Sequence, residues 1–152
     1  MPSDRYFLGV AKAVAEGSKD PSTKIGAVIV DKNGRIIATG FNGFPPGIAD
    51  DDRLNDRAEK YPRVVHAEVN AICQAGLLGC YGNSLFVYGL PPCDTCAPLI
   101  VSGRFARVAY MMPVGKMLSG KDWVAAAKFS QSLFSEAGIE FIGISEEDPL
   151  TD

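Results

Sequence analysis

The chain of 152 residues lacks several features that would assign it to whole classes of protein. It has no run of roughly 18 or more apolar residues, which excludes a membrane-spanning helix at the sequence level. Its N-terminus lacks the charged, apolar and small-residue regions of a signal peptide, so we expect a cytoplasmic protein. Its 15 Lys and Arg against 18 Asp and Glu give a net charge of −3, whereas binding polymeric nucleic acid usually requires basic excess. The composition therefore favours a small-molecule partner.

Internal repeats and low-complexity tracts are also missing from the chain. A length of 152 residues with 47% hydrophobic side chains suits one domain with a buried core, which we expect to span residues 1–152. The last segment, 146–152, is short and polar, and we expect a loose tail there.

Alternating helical and strand patterns predict an α/β fold. The predicted strands are 25–30, 36–41, 85–88, 108–111 and 139–144, and the predicted helices are 4–16, 64–78, 95–102 and 122–137. Asn33-Gly34 favours a tight hairpin between the first two strands. The order predicts a mixed five-stranded sheet with one antiparallel pair at its start and helices on both faces. Between them, 42–63 has no clear period, and a loop of this length is usually functional or disordered.

Histidine is nearly absent: the only one, His66, stands in His-Ala-Glu, ahead of Cys93 and Cys96 in Pro-Cys-Asp-Thr-Cys. One imidazole and two thiolates make a three-ligand zinc site whose open fourth position holds a water. Glu68, two residues from the histidine, is placed to move protons for that water. The pattern H-x-E followed by P-C-x-x-C is the known signature of zinc-dependent nucleobase deaminases.

A closed structural zinc site with Glu68 as the fourth ligand is the alternative. Such sites usually take four Cys or His ligands, and the chain has no second histidine. We expect Cys73, two turns into a predicted helix, and Cys80, beyond its predicted end, to be packing residues rather than ligands. These considerations favour the catalytic arrangement.

The zinc motifs resemble those of the deoxycytidylate (dCMP) deaminases in the cytidine deaminase superfamily. Upstream segments are similar to that family as well: they are 18–22, 26–30, 40–45 and 60–65. The resemblance covers roughly residues 5–111. The Asn-Gly-Phe-Pro loop and the Asp-Pro-Ser turn narrow it to the dCMP branch, although the family usually has Phe or Ser where Pro91 stands.

This resemblance implies a three-layer α/β/α cytidine deaminase-like fold and hydrolysis of dCMP to dUMP and ammonia, supplying dUMP for thymidylate synthesis. It implies one Zn²⁺ per subunit, held by His66, Cys93 and Cys96, with Glu68 as the catalytic proton carrier. Some members hold a second zinc in the long loop, but residues 42–63 contain no Cys or His, so we predict a single zinc.

The resemblance also implies substrate contacts from Asn42, Ala67, Gly43, Lys24 and Pro92. Lys19, Arg53, Arg57 and Lys60 are candidate phosphate or effector contacts. Family members are commonly homo-oligomers, often hexamers, regulated by dCTP and dTTP, and residues 40–47 are where we expect an effector pocket. We expect neither polymeric nucleic acid nor a membrane as a partner.

Three other functions remain open. The chain could deaminate another small base, nucleoside or modified cytosine nucleotide, of the guanine, cytosine or cytidine type. An enzyme that edits nucleic acid is disfavoured by the net charge. A non-catalytic, zinc-stabilised domain predicts four protein ligands and no exchangeable water.

Overall fold

The computed structural model describes residues 1–113 and 121–146. The helices are α1 (Asp4–Ala15), α2 (Arg57–Lys60), α3 (Ala67–Cys80), α4 (Cys96–Ser102) and α5 (Lys121–Ala137), and a single 3-10 turn spans Asp52–Asn55. The strands are β1 (Gly26–Val30), β2 (Ile36–Phe41), β3 (Ser84–Tyr88), β4 (Arg107–Met112) and β5 (Glu140–Ser145). Most of the expected tail, 147–152, lies outside the described residues. Its first residue, Glu146, forms an ion pair with Lys12 at 2.5 Å.

The strands form one mixed sheet in the order β2-β1-β3-β4-β5. β1 pairs antiparallel with both β2 and β3, whereas β3, β4 and β5 are mutually parallel neighbours. Parallel neighbours need a crossover connection, and α4 and α5 supply the two crossovers. The predicted five strands, with an antiparallel pair at the start, are confirmed.

Helices cover both faces of this sheet, as predicted. Because successive side chains of a strand point to opposite faces, Val28 and Phe86 join α1 in one buried cluster, and Ile29 and Val87 join α3, α4 and α5 in another. The observed strand ends all lie within one residue of the predicted ones.

Glycines allow the helices to approach the sheet closely. A Cβ on Gly26 would lie 2.0 Å from the carbonyl oxygen of Ala11 in α1. A Cβ on Gly40 would lie 2.5 Å from the carbonyl oxygen of Ala67 in α3. Both contacts are with backbone atoms, so the absence of a side chain at these positions is what lets α1 and α3 pack so closely against the sheet.

Helix α3 differs from the prediction at both ends. It begins at Ala67 rather than at residue 64, because Val65 forms an isolated antiparallel bridge with Gly43. It continues to Cys80 through a bend at Gly76, whose φ is 72°. Cys80 is buried, as expected of a packing residue, but Cys73 is exposed, so the packing role predicted for it is wrong.

The long segment 42–63 is more ordered than its sequence pattern indicated. Asp51 accepts a hydrogen bond from the Arg53 amide at the start of the 3-10 turn, and Asp56 accepts one from the Ala58 amide at the start of α2. These local carboxylate caps stabilise short turns that have no hydrophobic period. Among the described residues, the helices are all too short or too polar to cross a membrane.

Candidate metal centre and active site

His66 lies at the N-cap of α3, with φ of −69° and ψ of 153°. The bridge between Val65 and Gly43, with N–O distances of 3.1 and 2.8 Å, fixes the backbone just before it. Its side chain makes no capping hydrogen bond to the helix, so the imidazole is free to serve another partner. The predicted position of His66 at a helix start is confirmed.

Cys93 and Cys96 bracket the first turn of α4. Cys96 is the first residue of the helix, and the Ala97 amide donates to the Cys93 carbonyl at 2.9 Å. This turn brings the two sulfurs to the same side, as the i, i+3 spacing predicted. Cys96 is fully buried and Cys93 is partly exposed.

The ligand atoms of His66, Cys93 and Cys96 all lie within 4.8 Å of one another. His66 Nδ1 is 3.2 Å from Cys96 Sγ and 3.5 Å from Cys93 Sγ. Tetrahedral zinc, with bonds of about 2.3 Å to sulfur and 2.0–2.1 Å to nitrogen, separates such atoms by roughly 3.6 Å. The three side chains therefore fit zinc, and among the described residues they are the single group that meets as a metal cluster.

Glu68 lies in the first turn of α3 and is 4% exposed. Its carboxylate is outside the group of mutually adjacent ligand atoms, which favours a proton carrier over a fourth ligand. Burial, the largest influence, raises the pKa of this carboxyl, and the charge of His66 opposes the rise. A carboxyl whose pKa moves toward neutrality can both accept and return a proton.

The two cysteines interact through their sulfur atoms. A hydrogen bond from Cys96, assisted by one from His66, lowers the pKa of the Cys93 thiol to about 3. The same bond to Cys93, together with burial and the charge of Glu68, raises the pKa of Cys96. Because metal ligands must be deprotonated, zinc binding at this pair releases the proton held between the sulfurs.

A cavity of about 570 Å³ opens over this cluster. His66, Glu68 and Cys93 line it together with residues from other parts of the chain. Those residues are Asp20, Ser22, Thr23, Ile25, Asn42, Arg57, Lys60, Tyr61, Val64, Leu90 and Pro91. The volume falls in the usual range for small-molecule sites.

Asn42 lines this cavity and also holds its wall together. Its Oδ1 accepts from the Ile25 amide at 2.9 Å, and its Nδ2 donates to the Thr23 carbonyl at 2.9 Å. The Asn42 carbonyl accepts from the Ser18 hydroxyl at 2.7 Å. An amide group has two N–H donors, so one donor remains beyond the Thr23 bond.

Lys60 and Asp20 form a buried ion pair in the cavity wall. The Lys60 ammonium is 3.3 Å from the carboxylate, and the two side chains are 8% and 7% exposed. Asp20 also accepts from the Ser22 and Thr23 amides at 2.8 and 3.2 Å. Lys60 was a candidate phosphate contact, and its charge is already committed to this carboxylate.

Arg57 lies at the mouth of the cavity and is exposed. Its guanidinium carbon is 5.4 Å from the centroid of the Tyr61 ring. Tyr61 also faces Lys60, at 5.8 Å. An arginine held against an aromatic ring keeps its donors free for a carboxylate or a phosphate.

The other predicted contact residues do not line this cavity. Gly43 and Lys19 line a second cavity, of about 640 Å³, and Lys19 is 3.8 Å from Asp50. Arg53 pairs with Asp51 at 2.8 Å and stands over the ring of Phe44. Lys24 is exposed, Pro92 is buried, and neither residue lines either cavity. Ala67 is fully buried at the first position of α3.

Several residues that line the cavity were not predicted from the sequence to be site residues. The segment 20–22 was recognised as a turn, and nothing in its local pattern indicates that Asp20 would pair with Lys60. Tyr61 and Pro91 stood in segments used only for the family resemblance and its departures. Tyr110 stacks on Phe141 beside a separate groove, with ring centroids 5.1 Å apart.

Comparison with known proteins agrees with this geometry. Residues 1–112 match the family described as the cytidine and deoxycytidylate deaminase zinc-binding region. An uncharacterised deaminase in the luxG 3′ region of Aliivibrio fischeri is 39% identical over 138 residues, covering 90% of this chain and 89% of that protein. The deoxycytidylate deaminase of Homo sapiens is 37% identical over 142 residues, covering 90% of this chain and 76% of that protein.

A solved deaminase structure is similar to this chain in its fold. The crystal structure of dCMP deaminase from the cyanophage S-TIM5, in complex with dCMP and dUMP, superposes with a TM-score of 0.68. It is 22% identical, and the match covers 95% of this chain and 99% of that chain. The expected cytidine deaminase-like fold is therefore confirmed.

Proposed function

The chain belongs to the zinc-binding cytidine and deoxycytidylate deaminase family, and on that premise we propose that it hydrolyses dCMP to dUMP and ammonia. The observation that carries the proposal is the buried Glu68 carboxyl beside, but not within, the cluster of His66, Cys93 and Cys96. That arrangement leaves one ligand position for water, which a closed structural site would not. The product dUMP would supply thymidylate synthesis.

The three ligands provide a place for the metal and fix its surroundings. His66, Cys93 and Cys96 would hold the zinc, whose chemistry would be to lower the pKa of a water toward neutrality. Burial of Cys96 and Glu68 excludes bulk solvent from this side of the site, which strengthens the electrostatic interactions inside it.

Glu68 carries the protons of the reaction. It takes a proton from the attacking water and delivers it to ring nitrogen 3, so carbon 4 becomes electrophilic as the new C–O bond forms. It then takes the remaining proton from the new hydroxyl group on carbon 4 and passes it to the amino group; the carbonyl forms as the C–N bond breaks, and ammonia leaves. A positioned proton carrier is worth about 10²–10⁴-fold per transfer step, so Glu68 accounts for much of the rate.

Asn42 and Ala67 orient the substrate in this proposal. Asn42 is fixed by Ile25 and Thr23, retains one further N–H donor and lines a cavity shared with Glu68. Ala67 occupies the first helical position, where an amide has no partner within the helix. Its N–H can donate to the ring carbonyl of a pyrimidine.

Ammonia release from dCMP, deoxycytidine, cytosine and guanine tests the proposed reaction. We expect dCMP to be the preferred substrate by kcat/KM, since a cationic rim can bind its phosphate. Higher kcat/KM for cytosine or guanine would replace the proposal with the small-base alternative. Equal kcat/KM for dCMP and deoxycytidine would contradict the hypothesis that the substrate is a nucleotide.

Arg57 is our choice for the phosphate contact. It is the exposed cation at the cavity mouth, whereas Lys60 is neutralised by Asp20. We expect Arg57→Ala to raise KM for dCMP about tenfold or more, since charged hydrogen bonds are worth about 1.5–3 kcal/mol. Deoxycytidine should be unaffected. Arg53→Ala, in the same segment but paired with Asp51 outside the cavity, is the matched control.

The second cavity is our proposed effector site. It is lined by Phe41, Gly43, Phe44 and other residues of the segment 40–50, with Lys19 at its edge. Aromatic rings and glycines suit a nucleoside, and dCTP and dTTP are the effectors the resemblance implies. Rates on dCMP with either nucleotide, in the chain and in Lys19→Ala, test this proposal; no change in the unmodified chain would reject it.

We also propose a homo-oligomer, of which a hexamer is the expected form. Beyond the bend at Gly76, Leu77 and Leu78 of α3 and Tyr81, which follows the helix, are exposed to solvent, and Leu78 is 92% exposed. An apolar group of this kind on a helix end favours contact with another subunit. Light scattering gives the mass, and Leu78→Glu should reduce it while Tyr6→Glu, on α1, should not.

A further inference from the structure

A buried hydrogen bond joins α5 to the loop between β3 and α4, residues 89–95, which carries Cys93. The Ser130 hydroxyl in α5 donates to the carbonyl oxygen of Pro92 at 2.6 Å. Ser130 has no exposed surface, and the Pro92 side chain is fully buried. Pro92 directly precedes Cys93, so this bond ends one residue from a metal ligand.

The bond controls the orientation of the peptide group that carries Cys93. The carbonyl oxygen of Pro92 lies in one plane with the nitrogen and Cα of Cys93, because the peptide bond is planar. The rings of Pro91 and Pro92 fix their φ angles near −65°. The main rotation left is about ψ of Pro92, and the Ser130 hydroxyl holds the oxygen that this rotation would move.

The other side of Cys93 is fixed as well. Its own carbonyl accepts from the Ala97 amide at 2.9 Å as α4 begins. With both flanking peptide groups held, the freedom left to the ligand is rotation of its side chain. Its sulfur then lies 3.5 Å from His66 Nδ1.

The anchor itself is rigid. Phe134, one turn after Ser130 in α5 and on the same face of the helix, has no exposed surface. It lies in the same buried cluster as Cys96 and Ala97 of α4. The hydroxyl is therefore carried by a helix whose buried face belongs to the same core cluster as the second cysteine.

We propose that Ser130 is a positioning residue for the metal centre: its hydrogen bond to the Pro92 carbonyl places the Cys93 sulfur where it meets His66 and Cys96. Ser130 lies outside residues 1–112, the part matched by the family, so the assignment comes from the structure of this chain. It rests on the proposed function only in that both involve the same metal.

A purely structural role makes a different prediction. If the hydroxyl only satisfies a buried carbonyl, its loss lowers stability and leaves the zinc affinity of the folded protein unchanged. If it positions Cys93, its loss weakens zinc binding in protein that is still folded. Residues that orient metal ligands in this way typically contribute about 10–100-fold in metal affinity.

The test is zinc affinity, measured by competition with a chelator well below the melting temperature of every variant, with the Co²⁺–thiolate absorption as a second readout. We expect Ser130→Ala to bind zinc about 10–100-fold more weakly and to show an altered Co²⁺ band. Ser132→Ala, exposed on the same helix, should match the unmodified chain. So should Phe7→Leu, which destabilises the opposite face of the sheet.

Two isosteric variants keep the test decisive if Ser130→Ala does not fold. Ser130→Thr retains the hydroxyl and Ser130→Val lacks it at equal volume, so Thr should bind zinc at least tenfold more tightly than Val. Equal affinities for this pair, or a Phe7→Leu loss as large as that of Ser130→Ala, would overturn the proposal. No substrate is involved, so the result is independent of whether dCMP is the substrate.

Discussion

The helices on the two faces of the sheet begin in different ways. α1 starts with Ser3, whose side chain accepts a hydrogen bond from the Tyr6 amide at 3.2 Å. α3 and α4 start with His66 and Thr95, and neither makes a side-chain capping bond. A capping side chain is worth about 1 kcal/mol. At the start of α3, the position that could hold a capping side chain holds the metal ligand His66 instead, so this helix gives up local stability for chemistry.

The largest loss of activity should come from Glu68→Gln, on the face of the sheet that carries the active site. The amide cannot accept the water's proton, so we expect kcat on dCMP to fall at least about 10⁴-fold, the upper end for a proton carrier. Zinc content should stay near one per subunit, since Glu68 lies outside the ligand cluster. Metal analysis and kcat on the same sample check both points. Near-normal turnover in a zinc-replete variant would contradict the assigned role.

Large-to-small changes in the two cores should separate stability from function. Phe7 and Phe134 each have almost no exposed surface, so Phe7→Ala and Phe134→Ala should each lower the free energy of unfolding by about 3–5 kcal/mol. Phe7→Ala should leave kcat unchanged at low temperature. Phe134→Ala should also weaken zinc binding, because this ring packs in the cluster that contains Cys96.

Denaturant titration with and without zinc measures the cost of each substitution. If both variants lose zinc affinity equally, the two faces are not functionally distinct.

Adding a methyl group at the two close approaches sharpens the comparison. Gly26→Ala pushes α1 and Gly40→Ala pushes α3, since each new Cβ would meet a backbone oxygen of its helix at 2.5 Å or less. Overpacking of this kind typically costs about 1–3 kcal/mol. Only Gly40→Ala should lower kcat, because α3 carries Glu68 and begins after His66. Thermal unfolding and kcat together check this, and a kcat loss confined to Gly26→Ala would refute it.

Ser3→Ala should have the smallest effect. Loss of the cap on α1 should cost about 1 kcal/mol of stability and leave both kcat and zinc affinity unchanged. The midpoint of urea unfolding measures the first, and the assays above measure the others. Ser102→Ala is the control, because this exposed serine is the last residue of α4 and caps no helix start.

The sequence predicted the sheet and the metal centre because their signals are local. Runs of β-branched residues and the turn at Asn33-Gly34 determine where β1 and β2 lie. His66, Cys93 and Cys96 were found because few combinations of scarce residue types have that spacing, and the structure brings all three together.

What the sequence could not predict depends on contacts between distant segments. Val65 has a helical pattern around it, yet it leaves the helix to pair with Gly43. The pairing of Lys60 with Asp20 joins two segments with no shared periodicity. Ser130 lies in a predicted helix, and its local sequence does not indicate a role. Only the folded chain brings its hydroxyl within hydrogen-bond distance of the Pro92 carbonyl.

The buried ion pair of Lys60 and Asp20 has a consequence for how the enzyme responds to salt concentration. Dissolved ions reach buried charges poorly, so the field that this pair imposes on the cavity will hardly change with ionic strength. Arg57 stands in water, and its attraction for an anion is weakened by salt. Substrate capture should therefore slow as salt rises, while the turnover of substrate already bound stays constant.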